Sequence, residues 1–278
     1  YYGTAGRSEL VLNAKVTFDK GTIAVGYSFD PATSSNTDGL IYRTDSAGNI
    51  LWAAQRATSN ADKYYAVIQT HDSNFVAVGI LNATSMYNGN VAVITKFSAT
   101  GVLMWEKQFK NTTPGEVLYD VLEMPLTHHI VAAGSYDFTP GANSGMLIDL
   151  FYNSGNVNWI KTYDYTGSNQ FNSMTCINNT IYVVGMYQGL TYYDGYLVSV
   201  SETNGNVNWA NSYEFNSTFF PSDNCNWFVQ LQGYNNQLYI GNYITNDYVN
   251  SQSQMYAVLR TDTSGQNPLC LEMRKPAT

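Results

Sequence analysis

Short runs of β-branched and aromatic residues alternate along the whole chain with clusters of Gly, Asn, Asp and Ser, and no stretch sustains the 3.6-residue apolar spacing of a helix. The pattern predicts an all-β protein. In one stretch the runs fall at Tyr64 to Thr70, Phe75 to Gly79, Val91 to Phe97 and Val102 to Phe109, which read as four strands, A to D.

The same set of runs comes back. A turn glycine with Trp four residues later recurs as Gly48 and Trp52, Gly101 and Trp105, Gly155 and Trp159, and Gly205 and Trp209, and a fifth turn has Leu269 after Gly265. Successive turn glycines lie 53, 54, 50 and 60 residues apart. A second landmark, a β-rich run closing on Gly26, Gly79, Gly134, Gly185 or Gly241, keeps step at 53, 55, 51 and 56. Two landmarks with one period imply five copies of a four-stranded unit, which buries its two apolar faces by stacking on neighbours. The expected fold is a β-propeller with five blades, six being the alternative, over a single domain spanning 1–278. The blades fall at about 8–57, 62–110, 116–165, 169–215 and 224–274. Their place in the repeat makes Trp52, Trp105, Trp159 and Trp209 packing residues between blades rather than sugar platforms.

The stretches Arg43-Thr-Asp-Ser-Ala-Gly-Asn-Ile-Leu-Trp52 and Ala24-Val-Gly-Tyr-Ser28 resemble a group of secreted and cell-surface propeller repeats carrying Thr-Asp-x-x-Gly-Asn-x-x-Trp. That resemblance, from about Ser8 to Arg274, implies the fold and an extracellular or cell-surface location. The Thr100-Gly101 to Trp105 element is also similar to the blade motif of pyrroloquinoline-quinone dehydrogenases. Those enzymes use adjacent cysteines and a calcium site, and this chain has no adjacent cysteines, so no quinone and no other cofactor is expected.

Charge narrows the partners. With 13 Lys and Arg against 21 Asp and Glu, a net charge of −8 repels nucleic acid and acidic membrane surfaces. No run of eighteen apolar residues offers a membrane-spanning helix, so membrane insertion is not expected. A start at Tyr1-Tyr2-Gly3 suggests a processed polypeptide. Cys176, Cys225 and Cys270 are too few and too far apart for a metal or redox motif; they read as buried residues, with a bridge between Cys225 and Cys270 as the alternative.

Candidate chemistry is sparse. Strands A of a propeller line its channel, where Lys15, Gln69, Glu123, Thr175 and Gln230 fall at similar positions. Tyr27, Tyr136, Tyr187 and Tyr243 follow the strand B glycine and are expected at one rim. His71, His128 and His129 sit in predicted A-to-B turns, His71 and the His128-His129 pair in equivalent turns of neighbouring blades; they read as turn polarity before metal binding, and no metal site is assigned. Asn-x-Ser/Thr sequons at Asn82, Asn111, Asn178 and Asn216 fall in predicted loops or turns and are candidate glycosylation sites. No nucleophile stands with a base, so no catalytic residue is assigned. The reading is a non-enzymatic extracellular propeller, a structural or protein-interaction module such as a coat or filament subunit. Its expected partners are other extracellular proteins, copies of itself, and glycans. A carbohydrate-binding propeller is the alternative, and a glycoside hydrolase or lyase ranks third because Glu123 lacks a second carboxylate.

Overall fold

The computed structural model describes residues 6–32, 36–83, 90–110, 115–136, 143–164, 168–188, 193–213, 225–245, 254–266 and 269–274. Twenty strands form five antiparallel sheets of four. They are β1 to β4 (Ser8–Val16, Thr22–Phe29, Thr37–Thr44, Ile50–Arg56), β5 to β8 (Ala61–Gln69, Phe75–Ala83, Val91–Phe97, Leu103–Phe109) and β9 to β12 (Val117–Glu123, Ile130–Tyr136, Ser144–Leu150, Val157–Tyr163). Then follow β13 to β16 (Asn169–Ile177, Thr180–Gln188, Tyr193–Ser201, Val207–Tyr213) and β17 to β20 (Cys225–Tyr234, Gln237–Thr245, Gln254–Asp262, Leu269–Arg274). In every sheet sequential strands are neighbours, the meander of a propeller blade, and the fold is a β-propeller. By contacts the chain forms two compact units, Tyr1–Thr139 with Ile148–Asn158, and Pro140–Leu147 with Trp159–Thr278.

The central strands of each blade are the most deeply buried. In the second blade every residue of β7 is buried, whereas β8 is largely exposed or half-buried. In the second blade the central strands therefore read as near-continuous apolar runs, whereas β18 and β19 of the fifth blade alternate buried and more exposed positions.

The period of the repeat has a physical origin in two close approaches. In the first, the turn glycine of one blade lies against the Trp of the preceding blade. A Cβ on Gly101 would sit 2.7 Å from the Trp52 ring, one on Gly155 2.9 Å from Trp105, one on Gly205 2.7 Å from Trp159, and one on Gly265 2.6 Å from Trp209. These glycines also hold φ between +65° and +83°, where a side chain is strained. The indole N–H of Trp52 donates to the Ala99 carbonyl at 2.9 Å, and that of Trp159 to Glu202 at 3.1 Å, so the ring is pinned to the same turn it covers.

The second approach is inside each blade. Strand A carries a bulge between Val11 and Asn13 and between Tyr64 and Ala66, with counterparts in the other blades. The bulge pushes a carbonyl into the space that a side chain on strand B would need: a Cβ on Gly79 would lie 1.9 Å from the Lys63 oxygen. The expectation that these glycines end strand B is corrected. Gly79 sits in the middle of β6, and the strand continues to Ala83.

Trp52→Ala is expected to cost about 3–5 kcal/mol, and Gly101→Ala at least about 1–2 kcal/mol from its backbone conformation alone. Because the two residues touch, the double variant should lose less than the sum, since removing the indole makes room for the new methyl. Urea denaturation of the four proteins measures the coupling, and strict additivity would contradict the seam contact.

Candidate metal centre

The A-to-B turns of the first two blades are built alike. Thr17 N–H donates to the Gly21 carbonyl at 3.0 Å, and Thr70 N–H to that of Asn74 at 2.9 Å. The Thr17 and Thr70 hydroxyls each donate to the turn aspartate, Asp19 and Asp72, at 2.5 Å. In both blades a cation on the third strand completes the turn: Arg43 pairs with Asp19 at 2.6 Å and Lys96 with Asp72 at 2.7 Å. Each cation also donates to a carbonyl in the C-to-D turn of the next blade, Arg43 to Ala99 at 2.9 Å and Lys96 to Tyr152 at 3.0 Å. The third blade reverses the polarity, with His129 in the turn 3.1 Å from the buried Asp149.

A further clamp comes from strand A of the following blade. The Gln69 side-chain oxygen accepts the Phe18 amide at 2.7 Å, and the Glu123 Oε2 accepts the His71 amide at 2.8 Å. The second clamp differs in one respect: a carboxylate has another anionic oxygen to offer. Glu123 Oε1 contacts His71 Nδ1 and lies 3.6 Å from His128 Nδ1. His128 reaches it from the Met124 to His129 loop, where its φ of 56° turns the chain and its amide donates to the Met124 carbonyl at 3.0 Å.

Two imidazoles and one carboxylate thus converge. The His71 and His128 rings stack at 3.7 Å with 22° between planes, and their ligand atoms and that of Glu123 all lie within 4.8 Å of one another. A zinc ion binds N and O donors at about 2.0–2.2 Å and lies in the plane of each imidazole it takes, so the stacked His71 and His128 rings must swing apart for all three groups to hold one ion. Tyr152 closes one side, its ring edge-on to His71 at 4.6 Å. The Lys96 ammonium, 1% exposed, sits 5.0 Å from the Tyr152 ring centre and fixes that wall.

The reading of His71 and His128 as mere turn polarity is therefore corrected. Both lie in A-to-B turns, as expected, but their side chains meet on Glu123. The sequence signal was present in their equivalent positions in consecutive blades. Tyr152 carried no such signal, because its role depends on which C-to-D turn the neighbouring blade presents.

The other candidates are dispersed. Lys15, Gln69, Glu123, Thr175 and Gln230 all lie on first strands. Gln69 and Glu123 clamp turns, Thr175 accepts the Gly233 amide at 3.2 Å, and Gln230 donates to the Ser173 hydroxyl at 3.2 Å. Tyr27, Tyr136, Tyr187 and Tyr243 lie within two residues of the ends of the second strands and are half-buried. Tyr27 faces the Lys63 ammonium at 4.6 Å, Tyr187 meets Tyr196 at 6.0 Å, and Tyr243 packs on Trp227 at 5.8 Å. Of the sequons, Asn178 lies in an exposed turn, and Asn82 lies in β6, not a loop, with its side chain accepting from Asn60 at 2.8 Å. Asn111 and Asn216 lie outside the described residues. Cys176 is free, and burial pushes its thiol up to about 11; the Cys225 and Cys270 side chains also lie outside the described residues.

No protein-family model and no curated protein matches the chain. Solved propeller structures do. A lignostilbene dioxygenase of Pseudomonas brassicacearum is similar at TM-score 0.54 and 10% identity, over 99% of this chain and 68% of its own. An α-L-arabinofuranosidase of Fusarium graminearum is similar at 0.50 and 9%, over 95% and 93%. At these identities the likeness shows the fold. Both neighbours are enzymes, and they overturn the expectation of a non-enzymatic structural or interaction module. That expectation rested on finding no catalytic constellation, and a linear reading keeps His71 about fifty residues from the hairpin that carries Glu123 and His128.

Partial burial works against ionisation of Asp72, but hydrogen bonds from Lys96, Thr70 and Asn74 outweigh it and hold the carboxyl well below its usual range. A depressed folded value means stability that is present above the unfolded carboxyl value, about 3.9, and lost as pH falls below it. Asp72→Asn, which leaves the buried Lys96 unpaired, is expected to cost about 2–3 kcal/mol at pH 7 after allowance for partial exposure. Denaturation curves of both proteins should begin to draw together below about pH 5 and keep converging as the pH falls through the unfolded value towards the lower folded one. A gap independent of pH would contradict the pairing.

Proposed function

We propose that the protein is a metal-dependent enzyme whose centre is one divalent ion held by His71, Glu123 and His128. The observation that carries this reading is the convergence of two imidazoles and a carboxylate within 4.8 Å. Two histidines and one glutamate are a ligand set with which catalytic zinc sites leave a fourth position open for water or substrate. An ion so held supplies Lewis acidity, polarising a carbonyl or phosphoryl oxygen or acidifying water for hydrolysis. The enzymatic character of both structural neighbours is in keeping with this reading.

The same ligand set also suits non-haem iron and oxygen chemistry, the class suggested by the dioxygenase among the neighbours. Exposure favours zinc. The His71 and His128 side chains are 33% and 39% exposed, and a site this open does not shield reactive oxygen intermediates from water.

Calorimetric titration of the metal-free chain with zinc is expected to give one ion per molecule. His71→Ala and His128→Ala should each weaken binding by at least about tenfold, as should Glu123→Gln, which keeps an oxygen for the His71 amide. Absence of a stoichiometric site, or three variants that bind like the parent, would refute the proposal.

A further inference from the structure

The surroundings of the centre carry information about what it binds. The most exposed large apolar side chains among the described residues are Val16 at 75%, Leu126 at 72% and Phe18 at 67%. Isolated apolar residues at a surface are ordinary, but all three lie at A-to-B turns of the unit that holds the centre, where polar residues serve the turn equally well. Phe18 is tied by its amide to the side chain of Gln69, two residues ahead of His71. Leu126 stands two residues ahead of His128 in the same loop. Tyr152 adds an aromatic edge at 4.6 Å from His71. Exposed apolar side chains thus stand in the A-to-B turns of the first and third blades, the latter being the turn that carries His128, and Tyr152 of the third blade touches His71.

Charge specifies the other half of the ligand. Two turn carboxylates are paired with cations, Asp19 with Arg43 and Asp72 with Lys96, and Lys20 adds an exposed positive charge to the first turn. A divalent ion on two neutral imidazoles and one carboxylate keeps a net positive charge at its open position. An anionic oxygen donor neutralises it, and an apolar body behind that donor covers Phe18 and Leu126.

We infer that the ligand class of this centre is a small amphipathic anion, an oxygen-donor head on an aromatic or aliphatic body. The inference rests on the metal-centre reading above. Both are separable by one series of titrations on the zinc-loaded chain, with acetohydroxamate and benzohydroxamate as probes. The two share a metal-binding head and differ in the phenyl ring; covering roughly 60 Å² of that ring corresponds to about a tenfold gain in affinity. Benzohydroxamate should bind about tenfold tighter to the parent protein. In the double variant Phe18→Ser, Leu126→Ser, at exposed turn positions, that preference should vanish while zinc affinity is unchanged. Failure of the parent to hold zinc sinks both readings. Zinc binding with equal affinity for the two probes, or a preference that survives in the double variant, overturns the ligand class and leaves the metal centre standing.

Discussion

The architecture depends on an indole lying flat against a glycine that belongs to the next blade. A four-stranded blade has two apolar faces and cannot cover both alone, so its stability is a property of the seam. At the seam, Trp52 can approach the turn at Gly101 because that residue has no Cβ, and the turn needs glycine in any case for its left-handed backbone. The two residues that make the repeat recognisable are therefore each other's partners in trans, one copy apart. This explains why they keep a common period of about fifty residues while loops between them vary in length.

The candidate centre is an elaboration of the same seam. Hydrogen bonds from strand A side chains and third-strand cations lock the first two A-to-B turns to the following blade, the first of them with a neutral amide at Gln69. Placing a carboxylate at Glu123 and imidazoles at His71 and His128 turns a structural clamp into a cluster of metal-ligand type. Lys96, buried beneath Tyr152 and paired with Asp72, keeps the second turn and the third blade in register under it. The scaffold fixes the backbone of both turns, so the reorganisation needed to close three donors on an ion is confined to the stacked His71 and His128 side chains.

Much of the fold was legible in the residues. The four-stranded repeat and the propeller class followed from glycine and tryptophan spacing, because both residues answer to geometry that every copy must satisfy. What misled was strand length: Gly79 looks like a stop signal, yet it is an accommodation to the bulge of strand A, and the second strand runs on through it. The site was only half visible. Equivalent placement of His71 and His128 pointed to neighbourhood, whereas the convergence on Glu123 required knowing that strand A of one blade clamps the turn of the blade before.

The central claim is that a blade seam here presents two imidazoles and one carboxylate to a single ion. X-ray absorption at the zinc edge of the loaded protein reads that coordination directly. Two imidazole nitrogens and one carboxylate oxygen, completed by a light solvent atom in a four-coordinate shell, is the predicted spectrum. An all-oxygen six-coordinate shell without imidazole scattering would contradict the account.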